Sequence, residues 1–224
     1  MKPQNTKHKI LQNTDLTEAQ MYATIETFNR HARDYAEKWE WNPHTIKEIK
    51  KYNINPFLKY AKPKGKVLVV GSRTGRDLHF FSQKGFNCLG TEYSSGLIEE
   101  ALQRVPYGMF VHLDPRSLPF MPNSFDAIYA DDIAYLPIKN IKKTVRDLKI
   151  FLRDNGVLYL SFRIGDNSIL VMDEFDDKRY IALYKKKDLT DFIESLGFKI
   201  IWDKNSPHTD PGLPNWYSLI ARNK

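Results

Sequence analysis

Two glycines and a glutamate, at a particular spacing, are the residues of this 224-residue chain best suited to chemistry. Gly71 ends the apolar run Lys66-Val67-Leu68-Val69-Val70, and Gly75 follows just before Arg76 and Asp77. A glycine turn between a buried strand and a helix lets a ligand approach backbone N–H groups. Glu92 stands 21 positions after Gly71, at the end of the next strand-like run, Phe86 to Thr91. A carboxylate there can accept hydrogen bonds from ribose hydroxyls, and about 20 residues separate the two features in dinucleotide sites. The direct inference is a nucleoside-bearing ligand. The nicotinamide fingerprint G-x-G-x-x-G would need glycine where Arg73 and Arg76 stand, and the phosphate loop G-x-x-x-x-G-K-[ST] is absent.

Alternating strand and helix signals position these residues. Strand-like runs lie at 66–70, 86–91, 107–113, 125–130 and 157–162, with helical spacing between them, which predicts a parallel sheet covered on both faces. Ser94 is placed to cap a helix through Leu97, Ile98 and Ala101. Near the C-terminus a helix over 185–196 precedes strands at 198–202 and 216–221, which are expected to pair as an antiparallel hairpin at the sheet edge. Upstream, Met21, Ile25, Phe28, Ala32, Tyr35 and Trp39 recur at helical steps to about Glu40, and Pro43 can start a second helix. The expected organisation is a mobile tail over 1–16, dispensable for folding, lid helices over 17–64 and an α/β domain over 65–224.

Composition narrows the function classes. With 42% hydrophobic and 27% charged residues the chain is expected to be globular, and its mean hydropathy of −0.52, without a long apolar run, predicts a cytoplasmic protein with no membrane span. A single cysteine, Cys88, excludes an intramolecular disulfide framework, and the six histidines show no metal-site spacing, so no metal is expected. The net charge of +7 is concentrated near the N-terminus, where residues 1–66 hold 13 Lys and Arg against 7 Asp and Glu. A basic extension can attract phosphate-bearing partners such as RNA, although solvated lysines give the same count.

From about Thr24 to the C-terminus the sequence resembles the class I S-adenosylmethionine-dependent methyltransferases. VLVVGSRTGRD looks like the family's cofactor loop, and EYSSGLIEEA like its acidic residue and capped helix. HLDPRSLPFMPNSFDAIYADD, LKIFLRDNGVLYLSF and DDKRYIALYKKKDLTDFIESLGFKI are similar to the later segments, in the same order. The resemblance implies a Rossmann-like fold with a seven-stranded, mostly parallel sheet, an antiparallel C-terminal edge hairpin and N-terminal lid helices. It implies S-adenosylmethionine as cofactor and methyl transfer, with a small-molecule acceptor expected and RNA methylation or a non-catalytic binding protein as alternatives. By resemblance, Gly71, Ser72, Arg73, Thr74 and Gly75 surround the amino-acid end of the cofactor. Glu92, with Tyr93 beside it, meets the ribose, Asp114 the adenine amino group, and Asp131 the methyl-transfer side, while Tyr35 closes over the cofactor. If a base is used, Asp131, Asp132 and Tyr135 are the candidates. The chain departs from the family where Val69 replaces an acidic residue and Arg73 a glycine. Arg73 can turn outward, pair with the cofactor carboxylate or fill the pocket.

Overall fold

Val67, Leu68, Val69 and Val70 are each at most 1% exposed, because their strand lies inside a sheet covered on both faces. The computed structural model describes residues 7–12, 14–131, 133–166, 168–175, 177–206 and 213–224. Strands β1 (Lys7–Leu11), β2 (Lys66–Val70), β3 (Asn87–Glu92), β4 (Phe110–His112), β5 (Phe125–Ala130), β6 (Leu152–Ile164), β7 (Ser168–Glu174), β8 (Asp177–Tyr184), β9 (Phe198–Ser206) and β10 (Trp216–Asn223) form one sheet. Helices α1 (Glu18–Tyr35), α2 (Pro43–Ile49), α3 (Asn55–Tyr60), α4 (Arg76–Gln83), α5 (Ser95–Arg104), α6 (Ile138–Phe151) and α7 (Lys186–Ser195) accompany it. Two π-helical turns, Ala36–Glu40 and Lys50–Ile54, continue α1 and α2. Among the described residues no helix is long and apolar enough to cross a membrane.

The strand order is β1-β7-β8-β6-β5-β2-β3-β4, with β10 paired antiparallel to both β6 and β9. The run from β6 to β4 is parallel throughout. The seven expected strands are all present, joined by β1, β7 and β8, so the expected count of seven becomes ten. Their origin lies in the length of β6. Its residues Val157 to Arg163 pair with β10, while Arg163 and Ile164 also pair with Leu183 and Tyr184 of β8. The β7–β8 hairpin is thereby attached to the sheet, and β7 in turn offers its free edge to β1.

That pairing corrects the mobile tail. Lys7 to Leu11 lie opposite Asp173 to Ile169, and Leu16 is 3% exposed in the core; residues 1–6 and Asn13 lie outside the described residues. Removing residues 1–16 is therefore expected to lower the melting temperature by roughly 3–12 °C. Burying a leucine is worth about 1.5–3 kcal/mol, and each kcal/mol moves a chain of this size by about 2–4 °C. An unchanged Tm in scanning calorimetry would show that β1 adds no stability.

The alternation of side chains along β2 divides the core. Leu68 and Val70 face Ile128, Leu158 and Leu160 beneath α6 and α7, whereas Val67 and Val69 face Tyr129, Tyr159, Phe57 and Phe81 beneath α3 and α4. Parallel register then aligns the functional ends. Val70 lies beside Thr91 on one side and Ala130 on the other, so Gly71, Glu92 and Asp131 emerge together at the C-terminal edge of the strands. Ligands of open α/β sheets bind in the crevice outside this edge.

Helix α1 lies over that crevice. Thr17 starts it with a capping box, its hydroxyl accepting from the Gln20 N–H at 3.2 Å while Gln20 accepts from the Thr17 N–H at 3.0 Å. Thr27 donates to the Lys178 carbonyl at 2.7 Å, and Thr24 accepts from the Tyr180 N–H at 2.9 Å, which ties α1 to β8. On its other flank, Asn29 accepts from the Ser94 hydroxyl at 2.7 Å. Gly96 permits this approach, since a Cβ there would stand 2.5 Å from the Asn29 carbonyl oxygen.

Candidate functional site

The turn after β2 is built from left-handed backbone. Gly71 has φ 68°, Arg73 φ 49° and Gly75 φ 84°. A side chain on Gly75 would be strained by φ and would also place its Cβ 2.8 Å from the Phe110 ring. Arg73 accepts the same type of backbone with a side chain, at a cost of about 1–2 kcal/mol.

Glu92 holds this turn in place. Its carboxylate accepts from the backbone N–H of Arg73 at 2.9 Å, of Tyr93 at 2.7 Å and of Ser94 at 2.9 Å. Burial raises the carboxyl above its ordinary range, and the N–H groups of Ser94, Arg73 and Tyr93 oppose that shift. Thr91, one residue earlier, is 1% exposed, and its hydroxyl has no hydrogen-bond partner among the described residues. Ser94 caps α5 as its position suggests, accepting from the Leu97 N–H at 3.2 Å.

A cleft of about 550 Å³, its mouth included, runs from this turn to α1. Gly71, Thr91, Glu92 and Tyr93 line its floor, Leu113 and Pro115 one end, and Ile133, Tyr135 and Leu136 the other. Met21, Thr24, Ile25 and Phe28 of α1 close the top. Its walls are mainly apolar with few polar groups, the lining that small-organic-ligand sites use.

Arg73 leaves this cleft and enters a buried ion cluster. Its Nε lies 2.9 Å from Glu40 Oε1, and its Nη2 lies 2.8 Å from Asp131 Oδ2 and 3.3 Å from Asp77 Oδ2. Arg76 Nε adds a contact to Asp77 at 2.7 Å. Against the effect of burial, the Arg76 and Arg73 guanidiniums hold the Asp77 carboxyl below its ordinary range, whereas burial, partly offset by Arg73, raises Asp131. Asn53 donates to Asp131 at 3.1 Å, and Glu40 accepts from the Thr74 N–H at 3.0 Å and from its hydroxyl. The Trp41 indole N–H donates to the Thr74 hydroxyl at 2.9 Å. The π-helical turns thus lock onto the glycine turn. Of the three expectations for Arg73, neither the outward turn nor the filled pocket is seen: the side chain is 9% exposed, outside the cleft lining, and paired with Glu40, Asp77 and Asp131.

Three further expectations change. Tyr35 does not line the cleft; it packs edge-on against Phe28 at 5.0 Å in a buried aromatic group, and Phe28 faces the cleft instead. Asp114 does not line it either, because Arg116 takes its carboxylate, with Nε 2.9 Å from each oxygen and Nη2 2.6 Å from Oδ2. A guanidinium two residues away outcompetes a more distant role for the aspartate. Asp132 lies outside the described residues. Ser72 is buried behind the turn, its N–H bonded to the Thr91 carbonyl at 2.9 Å. Glu40, Arg76, Asp77 and Asn53 escape sequence reasoning as site residues; the one visible signal is that Glu40 falls four positions after buried Ala36, on the helix stripe.

Among the described residues, no group of His, Cys, Asp and Glu is arranged to hold a metal ion. The donor set fits a nucleoside with an amino-acid tail: a strand-end carboxylate, a Thr91 hydroxyl without a partner among the described residues, and Gly71 of the glycine turn on the cleft floor.

Residues 67–156 match the family described as a methyltransferase domain. No curated protein matches the chain by sequence. Among solved structures it is similar to the 1,6-didemethyltoxoflavin-N1-methyltransferase of Burkholderia thailandensis, determined with 1,6-didemethyltoxoflavin and S-adenosylhomocysteine bound. The two share 16% identity over 97% of this chain and 96% of that one, with a TM-score of 0.72. A TehB-like S-adenosylmethionine-dependent methyltransferase from Corynebacterium glutamicum shares 19% identity over 87% of this chain and 99% of its own, with a TM-score of 0.65. One from Methanosarcina mazei shares 15% over 75% and 96%, with a TM-score of 0.67. At these identities the structural likeness carries the fold alone, a Rossmann-like methyltransferase fold, and the methyltransferase-domain match is confined to residues 67–156.

Proposed function

We propose that this chain transfers the methyl group of S-adenosylmethionine to a nucleophile on a small molecule bound beneath α1. The observation that carries this reading is the cleft itself, in which the Glu92 strand end and an apolar chamber capped by α1 are continuous. When bound, S-adenosylmethionine supplies an activated methyl group. Glu92 and Thr91 would hold the ribose side, Leu113 and Pro115 the base, and the turn from Gly71 to Gly75 the amino-acid end. Met21, Ile25 and Phe28 keep water from the acceptor, and rigid placement of the acceptor in line with the methyl supplies much of the rate. The structure with bound 1,6-didemethyltoxoflavin supports a small acceptor by analogy of fold.

Tyr135 is the candidate base that lines the cleft, whereas Asp131 is engaged by Arg73. Arg179 donates to the Tyr135 hydroxyl at 3.4 Å and fixes its direction. Tyr135→Phe is expected to lower kcat at least tenfold, since general-base catalysis contributes about 10²–10⁴-fold, with KM for the cofactor changed less than twofold. An unchanged kcat would remove the phenol from the chemistry. Titration calorimetry with S-adenosylmethionine and S-adenosylhomocysteine, followed by a methyl-transfer screen over small nucleophiles, tests the function. Nicotinamide dinucleotide binding without any response to S-adenosylmethionine would overturn it.

A further inference from the structure

The positive charge near the N-terminus is gathered on one surface. Residues 1–42 hold six Lys and Arg against six Asp and Glu, whereas residues 43–66, from α2 to the start of β2, hold seven lysines against one acid, Glu48. Each of the seven lysines is exposed. Lys62 pairs with Asp126 at 3.2 Å, but Lys47, Lys50, Lys51 and Lys59 form no ion pair with a carboxylate among the described residues, and neither does Lys204 of β9. Half-buried rings stand between these cations. The Lys51 and Lys204 ammoniums lie 4.6 and 4.4 Å from the centre of the Tyr52 ring, and that of Lys50 lies 4.2 Å from the centre of Phe80. The row continues through His79, 5.2 Å from Phe80, to Trp41, 5.6 Å from His79. One π-helical turn, Lys50–Ile54, supplies Lys50, Lys51 and Tyr52 together, and no residue of the row lines the cleft.

We infer that this row of lysines and rings is a docking surface for single-stranded RNA, separate from the cleft. Two ammoniums held against one ring without a carboxylate repel each other, and a phosphate between them relieves the repulsion. Phosphates along a strand match a line of such cations, while aromatic faces between the cations stack the bases. RNA presents unstacked bases in its loops and ends, whereas a duplex hides them. A lipid surface fits less well, because α2, α3, α4, β9 and the π-helical turns carry no exposed large apolar side chain to enter it. An acidic protein would meet the charges and leave the rings unused. Because the surface and the cleft share no residue, the proposed function and this inference can fail independently.

The test is fluorescence anisotropy of a short labelled oligo-uridylate with the full chain. Contacts to about three phosphates give a slope of about −2 in log affinity against log salt, so raising salt from about 50 to about 200 mM should weaken binding about twentyfold. The triple variant Lys50→Gln, Lys51→Gln, Lys204→Gln changes exposed residues only and should melt as the wild type does, yet bind at least tenfold more weakly with a flatter slope. Tyr52→Leu should weaken binding at least fivefold and leave the slope unchanged, because it removes stacking and no charge. Where Tyr52→Leu does not fold, the duplex of the same oligo-uridylate with oligo-adenylate takes its place and should bind at least fivefold more weakly than the single strand. No binding by the wild type, or equal binding by the triple variant, overturns the inference. It is overturned too if Tyr52→Leu binds as the wild type does, or if oligo-glutamate or phosphatidylserine vesicles bind as tightly as the RNA and lose that binding in the triple variant.

Discussion

Arg73→Gly is expected to lower the melting temperature by about 2–16 °C at neutral pH. Removing one partner from a buried ion cluster costs about 3–5 kcal/mol, because the remaining charges stay desolvated and uncompensated. Glycine returns part of this by relieving the left-handed backbone at φ 49°, worth about 1–2 kcal/mol. The balance, roughly 1–4 kcal/mol, gives the stated shift at about 2–4 °C per kcal/mol. The loss should shrink in acid. In the wild type, Arg76 and Arg73 hold the Asp77 carboxyl below its ordinary value against the effect of burial. A depressed carboxyl contributes stability above its unfolded pKa of about 3.9, and that contribution is lost as pH falls through the folded value. Without Arg73 the contribution is smaller. The two proteins should therefore differ fully above about pH 5 and converge only as the pH falls well below about 4, through the depressed folded value. Thermal melts at about pH 2.5 and pH 7 decide the point. An equal deficit at both would trace the loss to packing rather than charge.

The sequence shows the part of the site that is local. Val67 to Gly75 and Glu92 are readable because strand period, glycine turn and strand-end acid lie within one short stretch, and parallel pairing of β2 and β3 leaves little choice in how they meet. Asp131 comes only from the resemblance, and the pairing of β5 with β2 sets it at the same sheet edge. What stays hidden depends on distant segments. Glu40 is a carboxylate on an otherwise apolar stripe, and its partners Arg73 and Thr74 come more than 30 positions later. β1 has no alternation of its own and exists because β7 presents an edge. β8 begins with the charged residues Asp177, Lys178 and Arg179, and its apolar half, Ile181 to Tyr184, is buried only because β6 extends far enough to receive it. Asp114 fails in the opposite way: Arg116, two residues along the chain, captures the carboxylate that the family pattern would send to the ligand.

Glu92→Gln should separate the two functions that its carboxylate combines. One oxygen, Oε1, receives the N–H groups of Tyr93 and Ser94, and the other, Oε2, receives that of Arg73. The amide keeps one acceptor oxygen and turns the other position into a donor. If the oxygen stays with Tyr93 and Ser94, the new NH₂ faces the Arg73 N–H and leaves it unsatisfied. A buried unpaired donor costs about 1–3 kcal/mol, so the melting temperature should fall by about 2–9 °C. The same change removes an acceptor from the ribose side of the cleft, and S-adenosylmethionine affinity should fall by a further 1–3 kcal/mol, roughly 5- to 150-fold. Glu92→Ala should lose at least as much of both. The two readouts need not move together: melts without ligand measure the tie to the turn, and calorimetry well below the melting temperature measures the hold on the ligand. A Glu92→Gln protein that is less stable yet binds S-adenosylmethionine as the wild type does would confine Glu92 to the backbone, and the ribose hydroxyls would then fall to Thr91.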